Sequence, residues 1–351
     1  MKKYFITLIL ILFGASTLAN DVWVNDLRNL FLTNNAIIYT INIRTFNAKD
    51  TNLNGIIDEG EESGNFINAI DRLDEIQSMG INTINLLPIM EIGKKHAYGT
   101  AGSLYAAKSF NSLNPQLKDK NSKLSLEEQA VKFINEAHKR GIRVMVDMPG
   151  CGSYDLSLSN PELFIRDSSG NVILPAGWRD IRLLDGGTDQ NTNQNVYNLY
   201  KSFVDYVMFL GADGIRADVA SSKPATFWKK LIQYSRQKDP QFMWLAESYT
   251  LDTESIAKEV QFTPYDRLLM AGFDGYYDGY PSMIDWKKAH QLTDNIRFTN
   301  SFKTRYYEPK AVLGSFTTHD EVSPILIKGV PFSDMIIWLN ATLPANSYFV
   351  D

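Results

Sequence analysis

A strand–helix alternation that repeats along almost all of the 351 residues constrains this chain most. Short β-branched runs are each followed by a stretch with apolar residues at helical spacing. Ala36–Phe46 reads as the first strand. Phe66, Ile70 and Leu73 line one face of a helix that Gly80 stops. Ile81–Leu87 is the next strand and ends at Pro88. Ser125 and Glu128 form a capping box. The helix behind it buries Leu126, Ala130, Phe133, Ile134 and Ala137, and Gly141 ends it. Ile142–Val146 follows as a strand. Val196, Tyr200, Phe203 and Val207 give another helix face, stopped by Gly211. Gly214–Ala217 is a strand, and Pro224 opens the helix after it, in the first turn where its missing N–H costs nothing. Phe242–Ala246, Ala311–Thr317 and Ser347–Val350 are further strands, with a sixth near Tyr276, Tyr277 and Tyr280. Such alternation predicts parallel strands covered by helices. About eight strands favour a closed (β/α)8 TIM barrel. A doubly wound sheet would open with a Gly-rich phosphate loop after its first strand, and none is present.

Two long insertions break the rhythm, Pro88–Asn121 and Met148–Thr192. Each follows a strand, which puts both on the functional face of a barrel. The second reads as a short inserted domain B over 148–192. The chain stops at Asp351, just past the eighth strand. The expectation is therefore a catalytic barrel over 20–351, truncated after strand 8, with any C-terminal β domain outside this chain.

The N-terminus carries a processing signal. Lys2 and Lys3 precede an apolar run, Tyr4–Gly14, that is short for a transmembrane span. Thr17, Leu18 and Ala19 suit cleavage after Ala19. A signal peptide over 1–19 is expected, with export to the periplasm or medium and no stable membrane insertion. The formal charge of −5 and the lack of a Lys/Arg run argue against nucleic acid as partner. Of the four histidines, His96, His138, His290 and His319, no two stand at a metal-ligand spacing. The first three read as surface residues. Cys151 is the only cysteine, so the fold must be held without a disulfide.

Four strand-like runs end in a carboxylate: Ile142–Asp147, Gly214–Asp218, Phe242–Glu247 and Leu313–Asp320. A barrel brings such ends to one mouth. A single strand-end acid usually caps the next helix. Four acids together repel one another and need a purpose. Glycoside cleavage supplies one: a retaining enzyme pairs an ionised carboxylate with a protonated carboxyl about 5 Å away. Arg216 lies two residues before Asp218, so both side chains share one face of the strand. The guanidinium is expected to keep Asp218 ionised, and Trp244, Leu245 and Ala246 to keep Glu247 protonated.

Gly211-Ala-Asp-Gly-Ile-Arg216-Ala-Asp218 resembles the nucleophile motif of the α-amylase family (glycoside hydrolase family 13). Trp244-Leu-Ala-Glu247 resembles its acid/base motif, Phe316-Thr-Thr-His319-Asp320 its third-carboxylate motif, and Val144-Met-Val-Asp147 the motif closing its third strand. The resemblance covers roughly residues 35 to 351, with order and spacing matched. It implies double displacement. Asp218 would form the glycosyl-enzyme, Glu247 would serve as acid and then base, and Asp320 would bind and distort the sugar. Substrate-binding roles would fall to Tyr105, Asp147, Arg216 and His319. The sequence departs from the family after Asp147: where Asn-His is usual, it has Cys151-Gly152. That removes a sugar-contacting His and an Asn that often ligates calcium.

A calcium loop is expected elsewhere. Asp50 to Glu61 fits the twelve-residue pattern, with ligands Asp50, Asn52, Asn54, the Ile56 carbonyl, Asp58 and Glu61, and Gly55 at the sharp turn. The bland alternative is a solvated Asn/Gly turn. Trp178, Asp180 and Arg182 could line the cleft or simply pack locally, and the Tyr276 cluster reads as core or rim packing. The function expected is retaining hydrolysis of α-glucans or maltooligosaccharides with a structural Ca²⁺. The rivals are an α-glucanotransferase or maltosyltransferase, and a catalytically inactive sugar-binding relative. Scarce histidine disfavours a metal-dependent hydrolase.

Overall fold

The computed structural model describes residues 23–99, 101–175, 177–250, 252–254, 256–277 and 287–351. The expected signal segment and Tyr280 lie outside these. Eight parallel strands close a barrel: β1 Ile37–Ile41, β2 Thr83–Leu86, β3 Arg143–Met148, β4 Gly214–Ala217, β5 Met243–Ala246, β6 Gly275–Tyr276, β7 Ala311–Gly314 and β8 Asn346–Val350. They pair in sequence order, and Ile37 opposite Ser347 seals β1 against β8. The barrel is the fold that the strand–helix rhythm predicts.

The local signals act as the sequence suggests. Ser125 Oγ accepts the Glu128 N–H at 3.2 Å, and Glu128 returns a bond to the Ser125 N–H at 2.7 Å. The helix they start, Leu126–Lys139, buries Ala130, Phe133, Ile134 and Ala137 against the outside of the barrel. Truncating Phe133 to Ala would cost about 3–5 kcal/mol. Gly211 ends the Gln194–Leu210 helix at φ 102°, a left-handed conformation that glycine adopts without strain.

Inside the barrel, Ile38, Met145, Met243, Leu245 and Leu313 pack on one another. The Leu27–Leu32 helix plugs the N-terminal end with Leu27 and Phe31. A Cβ at Gly275 would stand 2.5 Å from the Phe31 ring, so β6 needs glycine there for the plug to fit.

Two strand readings are corrected. β1 ends at Ile41, not Phe46, because the Asn42 side chain accepts the Arg44 N–H and caps a turn, Ile43–Phe46. β7 ends at Gly314, so Asp320 lies six residues beyond the strand, on a loop. Pro224 precedes the helix Ala225–Lys238 as its N-cap, one position earlier than expected. The 148–192 insertion carries a two-stranded ribbon, Cys151–Ser153 against Ile181–Leu183, and a short helix, Tyr154–Ser159. His138 is also corrected: it is buried, stacked on Trp23 and paired with Asp213 at 2.8 Å. Its place in the last turn of the Leu126–Lys139 helix turns it inward.

Candidate active site

Neighbouring strands place Asp147 and Arg216 at the same level, since Asp147 of β3 is in register with Arg216 of β4. Residues two apart on a strand share a face, so Asp218 follows Arg216 into the C-terminal mouth. Arg216 is wholly buried and gathers the acids. Its Nη1 donates to Asp147 Oδ1 at 2.9 Å and to Asp218 Oδ1 at 3.0 Å. Its Nη2 stands 3.0 Å from Glu247 Oε1, an ion pair that misses hydrogen-bond geometry. Its Nε donates to the Tyr277 hydroxyl at 3.1 Å. One cation thus faces three carboxyls, Asp147 wholly buried and Asp218 and Glu247 mostly so. Such a cluster cannot hold three full charges cheaply and must keep a proton.

Burial and the Glu247 charge push the Asp218 carboxyl well above its usual range, against the pull of Arg216. Burial raises Glu247 too, but Arg216 and the Val219 N–H at 2.6 Å outweigh it and hold Glu247 below its usual range. Asp218 and Glu247 share Arg216 and each feels the other's charge, so the two carboxyls titrate together. Burial also raises Asp147, to about 6.

Tyr105 extends the network. Its hydroxyl donates to Asp147 Oδ2 at 2.7 Å, so its oxygen accepts from His319 Nε2, also at 2.7 Å. That leaves His319 Nδ1 to accept the Tyr348 hydroxyl at 3.4 Å. Burial and Arg216 lower His319 to about 4, so the ring is neutral near pH 7. Asp320 stands apart from the Arg216 cluster. Its side chain is about half exposed at the rim, 3.5 Å from His319. Burial and the nearby Glu247 charge raise its carboxyl.

Three residues in this site escaped the sequence reading. Tyr277 was read as packing, yet it bonds Arg216; its parity with inward-facing Gly275 would have exposed it. Gly150 donates its N–H to Asp218 Oδ2 at 2.8 Å. A Cβ there would stand 2.5 Å from the Asp218 carbonyl oxygen, so only glycine lets the chain approach. Buried Lys223 donates to the Gly150 carbonyl and to Ser222 Oγ, both at 3.0 Å. No periodicity marks Lys223 in the sequence. Cys151 and Gly152, where Asn-His is usual, are buried beside this strip, and burial pushes the Cys151 thiol up to about 12. Of the insertion residues, Trp178 is exposed, Asp180 is buried and Arg182 lies over the Tyr154 ring.

The Asp50–Glu61 loop lies outside this cluster. Asp50 Oδ2 accepts the Gly55 N–H at 2.7 Å, with Gly55 at φ 81°. Asp58 Oδ2 accepts the Asn52 and Asn54 amides at 3.0 and 2.8 Å. Glu61 closes the loop onto the Asp58 and Thr51 N–H groups. Among the described residues no three His, Cys, Asp or Glu side chains gather as a metal-binding group. The oxygens of Asn52, Asn54 and the Ile56 carbonyl would have to complete a set, and that all-oxygen donor set on alternate residues fits Ca²⁺.

A parallel (β/α)8 barrel whose C-terminal mouth holds an arginine-bridged carboxylate cluster defines the class of protein. No family model matches the chain. It is 23% identical over 288 residues to an α-1,4-glucan:maltose-1-phosphate maltosyltransferase of Arcanobacterium haemolyticum, covering 76% of this chain and 38% of that protein. It is 23% identical over 350 residues to an α-amylase of Haloarcula japonica, covering 90% and 48%. The crystal structure of an α-amylase from Lactobacillus plantarum superposes with a TM-score of 0.70 at 22% identity, covering 91% of this chain and 71% of that one. The chain spans less than half the length of these two curated relatives. The relatives and structural neighbours are α-amylase-family enzymes, as the ordered motifs imply.

Proposed function

We propose that this chain is the catalytic barrel of a retaining enzyme that cleaves α-glucosidic bonds in α-glucans or maltooligosaccharides. The observation that carries the reading is the convergence of Asp147, Asp218 and Glu247 on buried Arg216. One guanidinium holds Asp218 and Glu247 side by side, each 3.0 Å from an Arg216 nitrogen, and close pairing of this kind is what a retaining mechanism uses. Asp218 attacks the anomeric carbon and Glu247 protonates the leaving oxygen. The proton of the pair resides on Glu247 as the glycosidic oxygen seats against it, which leaves Asp218 ionised. Glu247 then takes the acceptor's proton as the acceptor oxygen bonds to the anomeric carbon, which breaks the bond to Asp218 and frees its carboxylate. Asp320, at the rim with His319, binds the sugar hydroxyls, and Tyr105 presents its ring beneath the same sugar.

Hydrolysis is the first reading. Transfer is the second, because the Arcanobacterium relative is a named maltosyltransferase. Product analysis on maltooligosaccharides separates them: glucose and maltose alone mean hydrolysis, and products longer than the substrate mean transfer. Asp218→Asn tests the mechanism itself. The variant should fold and lose turnover by roughly 10³-fold or more; full activity in it would refute the mechanism.

Two further readings belong here. The Asp50–Glu61 loop is proposed to hold a structural Ca²⁺ through Asp50, Asn52, Asn54, the Ile56 carbonyl, Asp58 and Glu61. Residues 1–19 are proposed as a cleaved export signal, so the exported protein should begin at Asn20 when its N-terminus is sequenced. No helix among the described residues is long and apolar enough to cross a membrane.

A further inference from the structure

The end of the barrel opposite the carboxylates holds a second charged cleft, of about 680 Å³. It opens between the second half of the Ala225–Lys238 helix, the end of the Tyr265–Ala271 helix and the Tyr306–Lys310 approach to β7. Asp274 lies just before β6. It takes Arg28 Nε at 2.8 Å and Arg236 Nη2 at 2.6 Å, and Glu308 takes Arg28 Nη2 at 3.1 Å. Those two arginines and two acids neutralise one another.

Lys310 is left over. It is 4% exposed, and its ammonium has no hydrogen-bond or ion-pair partner among the described residues. Lys229, exposed on the same wall, adds a second unbalanced cation. Arg236 Nε and the Tyr306 hydroxyl are buried without a partner in the same lining. Guanidinium and ammonium groups can only donate, and a phenol with no donor beside it donates as well. Buried donors are ordinarily satisfied, so an unpartnered, largely buried ammonium on the cleft wall points to an acceptor that comes from outside, with Arg236 Nε and the Tyr306 hydroxyl unmet just behind that wall.

We propose that this cleft binds a phosphate group, free or as a monoester. A carboxylate offers two oxygens and one charge. A phosphate offers three or more oxygens and close to two charges, which matches the three N–H donors of the Lys310 ammonium and two unbalanced cations. The cleft is far larger than a phosphate ion, and the fully exposed Tyr307 ring beside it gives the organic part of an ester a surface to lie on. The site is independent of the carboxylate mouth and of the glycosidase reading.

Isothermal titration of the full chain with inorganic phosphate, and separately with glucose 6-phosphate, tests this at constant ionic strength. Saturable binding at one site per chain is expected. Lys310→Met should weaken it by about tenfold or more, and Tyr306→Phe by less. Asp218→Asn, at the other end of the barrel, should bind as the wild type does. Tighter binding of the sugar phosphate would identify the ester as the ligand, and equal binding the free ion. No saturable binding of either probe would overturn the proposal, as would binding that Lys310→Met and Tyr306→Phe both leave intact. Should Lys310→Met fail to fold by circular dichroism, Tyr306→Phe and Lys229→Gln carry the same test.

Discussion

Lys223 Nζ donates to the Gly150 carbonyl at 3.0 Å, and the Gly150 N–H in turn donates to Asp218 Oδ2 at 2.8 Å. A buried ammonium thus fixes the turn that fixes the nucleophile candidate. Lys223→Met keeps the stem and removes the charge. The lost bond costs about 1–3 kcal/mol, partly offset because no charge is then buried. The larger effect should fall on kcat, about tenfold or more, since Asp218 loses its held partner while the rim that meets the sugar is untouched. Steady-state kinetics beside a denaturation curve separate the two. A variant that loses stability with kcat unchanged would make Lys223 purely structural.

The barrel was legible because its signals are local. A capping box at Ser125, a left-handed glycine at 211 and alternating strand parity each act within a few residues. The Arg216–Asp218 pair was legible for the same reason. What escaped depends on distance in sequence. Gly150 meets Asp218, and Lys223 meets Gly150, only through the fold, across sequence separations of 68 and 73. The coupling of Asp218 and Glu247 was not legible, because each carboxyl feels the other's charge and no flanking residue reports that. Asp320 was read as a strand end, but its position depends on a loop that follows Gly314.

His319 should make stability depend on pH. Its folded value, about 4, lies below its ordinary 6.5, so the unfolded chain binds the extra proton between those values. The stabilisation is full above about 6.5 and is lost as pH falls towards 4, on the order of 3 kcal/mol in all. Asp147 works the other way. Raised to about 6, it favours the folded state at low pH and loses that advantage as pH rises through 6. The wild-type curve therefore mixes two opposed slopes. Urea denaturation of wild type and His319→Gln at pH 6.5 and 4 isolates the histidine: the wild type should lose more stability on acidification. Equal losses would refute it.

Calcium should stabilise the fold through the Asp50–Glu61 loop. A ligand at about 100 times its Kd adds about 2.7 kcal/mol, enough to raise Tm by several degrees. Asp50→Ala and Glu61→Gln should each abolish the rise, and magnesium, which demands stricter octahedral geometry, should not reproduce it. The measurement is a thermal melt after chelation and again after millimolar calcium. A rise that survives both substitutions would place the ion elsewhere, and no rise at all would leave the loop a hydrogen-bonded turn.

Tyr105→Phe tests the link between the acid cluster and the rim. The hydroxyl is the donor to Asp147 Oδ2 and the acceptor for His319 Nε2. Removing it leaves a buried carboxylate oxygen unmet, at a cost of about 1–3 kcal/mol. Burial already holds Asp147 at about 6, and the Tyr105 bond is one of the forces pulling it down. Without that bond the carboxyl rises further and a larger share is protonated at neutral pH. A protonated Asp147 no longer balances Arg216, whose remaining partners are Asp218 and Glu247, so their shared proton is displaced as well. The acid limb of kcat against pH should therefore shift upward by on the order of one pH unit. KM should rise too, because the ring and His319 are no longer held in register beneath the sugar. A pH–rate profile on a maltooligosaccharide checks both. An unmoved acid limb with a raised KM would confine Tyr105 to sugar binding and detach it from the proton balance of the carboxylates.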